Sequence, residues 1–487
     1  MYRKQMTPAW PAARRFLSHR FRLGFLSGVA LVLAGCAAVG PDYQAPQPAA
    51  PAQWAERDTA VNPNGAGDLT RWWTQLGDAQ LTSLIDEALQ GSTDLRLATA
   101  RLREARARRA LAGDNAWPTL SASASASRTK SSAAATGSGA TRSLYNAGFD
   151  ASWEPDLFGG TRRAIEAAQA DLDTVQANLH ATQVSLVAEV ALNYVELRAY
   201  QERLALAQNN LANQTETWQI AQWRVQAGLA GSLDAEQARS NMEQTRAQLP
   251  VLRTNLAEAE HRLAVLLGRT PASLHERLAA TAALPTVPEQ IGVGIPAQTL
   301  AQRPDVRAAE RKLAAETARV GQASAARYPQ LTLSGSIGLQ ALQLDALHAP
   351  GAVTRSLVGQ LAAPIFDAGR IREQIEIQNA VQEQALVNYE ASVNTALREV
   401  EDALVALANN RQRQTALAQA AEAAHNAALL AHQQYTSGLI DFQTVLSTER
   451  TQLSVDDSLA SARADSVSAV IQLYKALGGG WSPQPTP

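Results

Sequence analysis

A stretch without glycine or proline, rich in alanine, leucine, glutamine and glutamate, spans residues 161–227. As a single α-helix, its roughly 67 residues would extend about 100 Å. That is several times the usual length of a helix in a compact globular domain. A seven-residue apolar repeat keeps one seam of a helix against a partner helix, so the spacing predicts coiled-coil packing. The repeat comprises Val190, Leu197, Leu204, Leu211, Trp218 and Val225.

This stretch has a counterpart of nearly equal length later in the chain. Residues 370–437 also contain neither glycine nor proline. A shorter helical pattern follows each long one after a glycine-containing turn, at residues 232–267 and 440–477. We expect Pro250 to kink the first of these shorter helices, because proline removes a backbone hydrogen bond.

Two segments between the predicted helices alternate between apolar and polar residues with a period of two. They predict β-hairpins at about residues 119–153 and 330–366, the last strand covering about 356–366. Strands of about 9–11 residues with one apolar and one polar face are typical of transmembrane β-barrels. A half-buried hairpin of a soluble domain shows the same alternation, so one hairpin alone does not decide between the two.

The order of these elements occurs twice. Equivalent landmarks lie about 210 residues apart, which indicates an internal duplication. They are Trp117-Pro118 and Tyr328-Pro329, Gly160 and Gly369, Gly228 and Gly438, and Gly268 and Gly478. We therefore predict a first structural repeat at 69–280, a linker at 281–298, a second repeat at 299–480 that opens with a helix at 305–326, and a tail at 481–487.

The N-terminal residues have the features of a bacterial export signal. Residues 1–35 contain six basic and no acidic side chains, and they end in an apolar run that is too short to span a membrane. The following Leu33-Ala34-Gly35-Cys36 resembles the lipobox of bacterial lipoproteins, which implies diacylglycerol and an N-acyl lipid on Cys36. Ala37 in place of aspartate favours sorting to the outer membrane. Residues 36–68 are rich in proline, and we expect them to form an extended tether.

Charge and motif content exclude several classes of function. The chain has 43 basic and 45 acidic residues, and removing the basic signal leaves a mildly acidic body that argues against nucleic acid as a partner. The one cysteine permits neither an intrachain disulfide nor a cysteine-based zinc site. His425 and His432 are seven residues apart without nearby acids, and no nucleophile, base and acid stand together. We therefore predict no enzyme, metal site or cofactor other than the lipid.

Four barrel-type strands cannot close a barrel alone, and open sheet edges are not tolerated in lipid. The pattern therefore predicts an oligomer that shares one barrel, with the long helices forming a tube below it.

The chain resembles the outer-membrane efflux factors, which are TolC-like, and in particular their OprM/NodT-type lipoproteins. The motifs carrying the resemblance cover the mature chain almost from end to end. They are Gly40-Pro41-Asp42-Tyr43, Trp72-Trp73, residues 153–159, residues 228–234, residues 303–307, residues 364–370 and residues 474–481.

The resemblance implies an α+β membrane protein. A homotrimer would form a twelve-stranded transmembrane β-barrel, four strands per chain, continuous with a long periplasmic α-helical barrel. The protein would be the outer-membrane channel of a tripartite system exporting drugs, toxic compounds or metals. A periplasmic adaptor, an inner-membrane resistance-nodulation-division pump and outer-membrane lipid would be its partners. Alternatives are the outer-membrane component of a type I protein secretion system and a lipid-anchored coiled-coil scaffold.

In similar proteins, the turns after the long helices form the periplasmic tip, where the channel narrows and the adaptor docks. That resemblance points to Gly228 and Asp234 in the first repeat and to Tyr435 and Gly438 in the second. The second repeat lacks the family's acid after Val445-Leu446, and Glu449 is the candidate to compensate. The alternative is that both glycines only cap helices and both acids only face solvent.

Overall fold

The computed structural model describes residues 38–47, 50–56, 61–62, 69–132, 134 and 139–482. The expected signal peptide, Cys36 and residues 483–487 of the expected tail lie outside these residues. The chain divides into two compact units, which we call the sheet unit and the helical unit. The described residues of the sheet unit fall within Met1–Ala45, Ala105–Leu172 and Lys312–Leu386, and those of the helical unit within Pro46–Glu104, Asp173–Arg311 and Val387–Pro487.

Long helices dominate the order of elements. They are α1 (Ala79–Gly91), α2 (Thr93–Asp114), α3 (Gly160–Gln226), α4 (Ser232–Leu266), α5 (Pro304–Ala325), α6 (Arg370–Thr436) and α7 (Phe442–Ala476). Short helices are present at Trp72–Leu76, His275–Leu278, Pro296–Gln302, Asp345–His348 and Pro350–Ala352. The helix at Pro296–Gln302 includes the last three residues of the expected linker. Among the described residues, we find no helix that combines the length and apolar character of a membrane span.

The sheet unit holds a four-stranded antiparallel sheet in the order β1-β2-β3-β4. Its strands are β1 (Thr119–Lys130), β2 (Thr141–Trp153), β3 (Gln330–Ala341) and β4 (Val353–Ala362). Each predicted hairpin pairs within itself, and β2 pairs with β3 to join the two repeats. A separate pair of two-residue parallel strands, Val61–Asn62 and Ile291–Gly292, lies in the helical unit.

The last strand ends earlier than the alternation predicts. β4 stops at Ala362, where it pairs with Gln330, the first residue of β3, so its partner strand has run out. Pro364 follows, and proline has no N–H to donate to a ladder. Ile365 and Phe366, which the alternation assigns to the strand, instead follow it with 97% and 90% of their surfaces exposed.

The sheet of one chain is open at both edges. Within the described residues, β1 and β4 each pair with one neighbouring strand only. Every residue of both edge strands is exposed. Unpaired edges of this length require another chain beside them if the sheet is to enter a membrane.

The core of the helical unit surrounds Trp72 and Trp73, which are almost completely buried. The Trp72 ring stacks on Tyr474 of α7 with 5.0 Å between ring centroids. Gly479 lies so close that a Cβ atom there would be 2.9 Å from the Trp72 ring. The glycine run after α7 therefore serves close packing against an indole.

The predicted seam of α3 packs within the helical unit. Val190 and Leu197 are fully buried, and the later seam residues are half-buried. Leu204 packs in a cluster with Ala207, Leu249 and Leu252, which places α4 against α3. Pro250 lies inside α4, which continues through it as one helix.

Candidate functional site

The two interhelical turns named by the sequence have the same backbone geometry. Gly228 follows α3 and Gly438 follows α6, each with a φ of 73° in the left-handed region. In the first turn, Gly228 N donates to Val225 O at 3.0 Å and Leu229 N to Arg224 O at 2.8 Å, and the second turn repeats both bonds. These bonds form a Schellman motif, which satisfies the last carbonyls of a helix. A Cβ atom at either position would meet no atom within 4 Å, so space for a side chain is not what requires glycine. The positive φ angle is what favours glycine at both positions.

The helices that leave the two turns begin differently. Asp441 caps α7, because its carboxylate accepts hydrogen bonds from the hydroxyl and the backbone N–H of Thr444, and these bonds lower the pKa of Asp441. The corresponding cap of α4 is Gly231, which has no side chain to donate or accept. The acid of the first repeat instead stands within the first turn of α4, as the half-buried Asp234.

An aromatic cluster joins both turns. Tyr435 is 7% exposed and its ring lies 5.2 Å from that of Phe442. The guanidinium of Arg224, at the end of α3, lies 4.4 Å from the centre of the Tyr435 ring. Burial raises the pKa of the Tyr435 hydroxyl; the positive charge of Arg224 lowers it, and the negative charge of Asp234 raises it further. The fold thus brings Asp234 and Tyr435 into one electrostatic environment, with Arg224 as a third member.

Glu449 lies in a second polar cluster that spans three helices. Its Oε1 accepts a hydrogen bond from Thr217 Oγ1 of α3 at 2.8 Å and lies 3.2 Å from His432 Nε2 of α6. The hydrogen bond to Glu449 raises the pKa of the His432 imidazole; burial opposes this, and the charges of Glu449 and Glu216 add to the rise. Glu449 is 9% exposed, so in this chain it is a packed interhelical group and not a solvated acid.

The sequence did not single out Arg224, Thr217 or His432 as members of the site. The sequence could have indicated Arg224, because this basic residue lies in the last turn of α3, four residues before Gly228. His432 and Glu449 had none, because they belong to different helices. The described residues contain no cluster of metal-ligating side chains. Whether the five predicted residues line a constriction stays a prediction.

Comparison with known proteins agrees with the duplicated architecture. The family model described as outer membrane efflux protein matches residues 84–269, in the first repeat, and residues 295–479, which cover the end of the linker and the second repeat. Nodulation protein T of Rhizobium leguminosarum bv. trifolii is 31% identical over 93% of this chain and 96% of its own length. The toluene efflux pump outer membrane protein TtgI of Pseudomonas putida is 34% identical over 93% of this chain and 97% of its own.

Solved structures show the same fold. The outer-membrane channel OprN is 35% identical and superposes with a TM-score of 0.87, covering 92% of this chain and all of its own. The MtrE outer membrane channel of Neisseria gonorrhoeae, solved in an open state, superposes with a TM-score of 0.79 at 28% identity, covering 91% of this chain and 99% of its own. The two matched segments together exceed half of the sequence. The chain therefore belongs to the outer membrane efflux protein family.

Proposed function

We propose that this protein is a passive efflux duct whose periplasmic end is held closed by the two side-chain clusters at the interhelical turns. As a member of its family, the chain is the outer-membrane channel of a tripartite efflux system. It acts as a homotrimer with a periplasmic adaptor and an inner-membrane pump. The barrel lies in the outer membrane and the helical tube in the periplasm.

The observation that carries the duct is the open four-stranded sheet. Both edge strands lack a second neighbour within the described residues of one chain. Three chains with four strands each close a twelve-stranded barrel, which gives every edge a partner and leaves a lumen on the axis. A lipid-anchored scaffold has no need of such a sheet.

Single-channel recording distinguishes the duct from a scaffold. Trimers extracted in detergent and added to planar bilayers are expected to give discrete ion conductance. Complete absence of conductance from trimers that remain intact would favour the scaffold. No turnover of esters, peptides or glycosides by the same preparation is expected, since the proposed duct performs no chemistry.

We propose small molecules as the cargo, because the curated relatives include a toluene efflux protein. Deletion of the gene is expected to raise sensitivity to such compounds while secreted proteins still reach the medium. Loss of a secreted protein with unchanged sensitivity would favour the type I secretion alternative. Acyl groups on Cys36 are part of the proposal, and a mass measurement of the N-terminal peptide tests them.

The proposed closure rests on contacts that link helices within one chain. Arg224 of α3 holds Tyr435 of α6, and Glu449 of α7 holds both Thr217 of α3 and His432 of α6. Movement of α3 and α4 away from α6 and α7 must break the contacts of Arg224 with Tyr435 and of Thr217 with Glu449. Gly228 and Gly438 set the path of the turns, and Asp234 contributes negative charge beside Tyr435.

The His432–Glu449 contact predicts a pH dependence of opening. The pKa of His432 is higher in the folded protein than its value of about 6.5 in the unfolded chain. The stabilising contact of protonated His432 with Glu449 is therefore fully present at pH values below the unfolded-state pKa. It is lost as the pH rises through the folded-state pKa. Mean conductance of wild-type trimers is therefore expected to increase from about pH 6 to about pH 8.5.

His432→Gln is expected to remove most of this pH dependence, with conductance at about pH 6 close to the wild-type value at about pH 8.5. His425→Gln is the matched control, because His425 lies one heptad earlier on α6 and its Nδ1 contacts Gln452, while its interaction with Asp456 is electrostatic and not a hydrogen bond. A pH profile of His432→Gln that matches the wild type would contradict a role of this contact in closure.

A further inference from the structure

One face of the sheet is apolar along most of its length and ends in basic residues beside the hairpin loops. On β1, Arg128 and Lys130 lie an even number of residues from the partner of Phe149. On β4, Arg355 pairs with Ile337, whose other partner is also Phe149. Residues opposite each other in antiparallel strands point to the same side, so the three basic side chains share the face of Phe149. All three are exposed.

These basic residues have no acidic counterpart on their face of the sheet. Asp150 is the one acid within the four described strands, and it lies on the opposite face because it is adjacent to Phe149 in β2. In the described part of the chain, neither Arg355 nor the two basic residues of β1 make an ion pair. Their positive charges are therefore uncompensated by the protein.

The position of these residues along the strands corresponds to a membrane surface. From Leu120 to Lys130 the chain rises about 34 Å along β1, and a tilt of about 40° reduces this to a depth of about 26 Å. The apolar band of an outer-membrane barrel is about 25 Å tall. The strand ends that lead into α3 and α6 lie at the opposite, periplasmic end of the sheet. The basic residues therefore lie at the outer surface of the membrane.

The internal duplication indicates how β4 meets β1 of the next chain in the trimer. β1 and β3 each have 12 residues and begin directly after a proline, so their last residues, Lys130 and Ala341, are equivalent. Arg355 is equivalent to Tyr145, because each pairs with the fifth residue from the end of the first strand of its hairpin. Within one chain, Tyr145 pairs with Ala341. The same register places Arg355 opposite Lys130 of the partner subunit.

This register brings like charges together at each contact between chains. Like charges directly opposite each other destabilise a strand pair. Arg128 of the partner subunit lies on the same face, two residues before Lys130 of the partner subunit, so it adds a third positive charge. An anion between these side chains removes the repulsion. Phosphate is the anion that lipid headgroups supply at this depth, and long basic side chains extend along apolar surface to reach it.

We propose that each β4–β1 contact of the trimer binds the phosphate of an anionic lipid headgroup, held by Arg355 of one chain and by Arg128 and Lys130 of the partner subunit. Arginine pairs with phosphate through two parallel hydrogen bonds, and lysine pairs with it as a point charge. The lipid then bridges neighbouring chains at the outer surface of the barrel. This site depends on the closed barrel, and it is independent of Cys36 and of closure at the periplasmic end.

Native mass spectrometry of purified trimers tests the site. Dioleoylphosphatidylglycerol is the anionic probe, and zwitterionic dioleoylphosphatidylcholine is the comparison lipid. Wild-type trimers are expected to retain one phosphatidylglycerol for each contact between chains. A variant that combines Arg128→Gln, Lys130→Gln and Arg355→Gln is expected to bind it about tenfold more weakly or worse. Arg142→Gln is the matched control, because Arg142 lies at the same end of the sheet but pairs with Thr129 on the opposite face.

Three results would overturn the proposal. They are equal retention of the two lipids by wild-type trimers, unchanged retention of phosphatidylglycerol by the triple variant, and an equal loss of retention in Arg142→Gln. Displacement of bound phosphatidylglycerol by excess inorganic phosphate would show that the site takes free phosphate, and would overturn the assignment to a lipid.

Disulfide cross-linking tests the register separately. The proposed register places Gly359 opposite Ala126 of the partner subunit, so the double variant Gly359→Cys and Ala126→Cys is expected to form covalent trimers under oxidation. Gly359→Cys with Ser125→Cys is the control, because Ser125 lies on the opposite face. Intact trimers of the first double variant that do not cross-link would refute the register and with it the site. The conductance of wild-type trimers would still test the duct.

Discussion

Replacement of Leu204 by proline is expected to abolish export while acylation of Cys36 continues. Leu204 is in the interior of α3, in contact with the cluster of Ala207, Leu249 and Leu252. Proline there removes one backbone hydrogen bond and its ring clashes with the preceding turn, at a cost of about 3 kcal/mol or more. A kink in α3 also separates it from α4, so the wall of the tube is broken in all three chains at once.

Drug sensitivity of a deletion strain carrying the variant measures the loss of export. Leu204→Met is the control, since it keeps an apolar side chain of similar volume and is expected to cost less than about 1.5 kcal/mol. Acylation of both variants shows that each has been exported and processed. Normal resistance in the proline variant would count against α3 as a wall element.

Replacement of Arg303 by methionine is expected to destabilise the helical unit strongly. Arg303 precedes α5 and is 6% exposed. Its Nη2 donates to Asp305 at 2.6 Å and to Glu399 of α6 at 2.7 Å, and its Nη1 donates to Ala476 O at the end of α7 at 2.8 Å. Loss of one partner from a fully buried ion pair typically costs about 3–5 kcal/mol. Here Arg303 is buried but the side chains of Asp305 and Glu399 are 47% and 41% exposed, so solvent compensates part of their charge and that range is the upper bound.

The midpoint of heat dissociation of purified trimers measures this effect. The midpoint of Arg303→Lys is expected to lie between those of the wild type and Arg303→Met. The lysine ammonium keeps the positive charge but cannot reproduce the planar, forked hydrogen bonding of the guanidinium. Arg307→Met is the matched control, one helical turn further along α5 and exposed. Equal midpoints for Arg303→Met and Arg307→Met would refute the assigned role of Arg303.

The same ion pair gives the sign of an acid dependence. Burial tends to raise the pKa of Asp305, but its bonds to Arg303 outweigh this and lower it. A lowered carboxylate pKa stabilises the fold above the unfolded value of about 3.9, and this stabilisation is lost as pH falls through the folded value. Acidification to about pH 3 is therefore expected to reduce the difference in the midpoint of heat dissociation between wild-type and Arg303→Met trimers.

The candidate site shows where prediction from sequence ends. Gly228 and Gly438 were identified because a left-handed residue after a helix leaves a local signature, a glycine that ends a long apolar pattern. Tyr435 and Asp234 were carried over from the family resemblance. The contact of Tyr435 with Arg224 crosses from the second repeat to the first, and no spacing along the chain encodes it.

The sequence by itself determined the lengths of the long helices, the alternation of the strands and the duplication. Each of these follows from periods of two or seven and from the positions of glycine and proline, which act over a few residues. Tertiary structure alone decided that β4 ends at Ala362 and that Glu449 is shared by Thr217 and His432. It also decided that Arg163 of α3 bonds to the N-terminal residues Val39, Gly40 and Asp42. These depend on which side chains meet after helices distant in sequence have packed, and burial then makes their polar contacts obligatory.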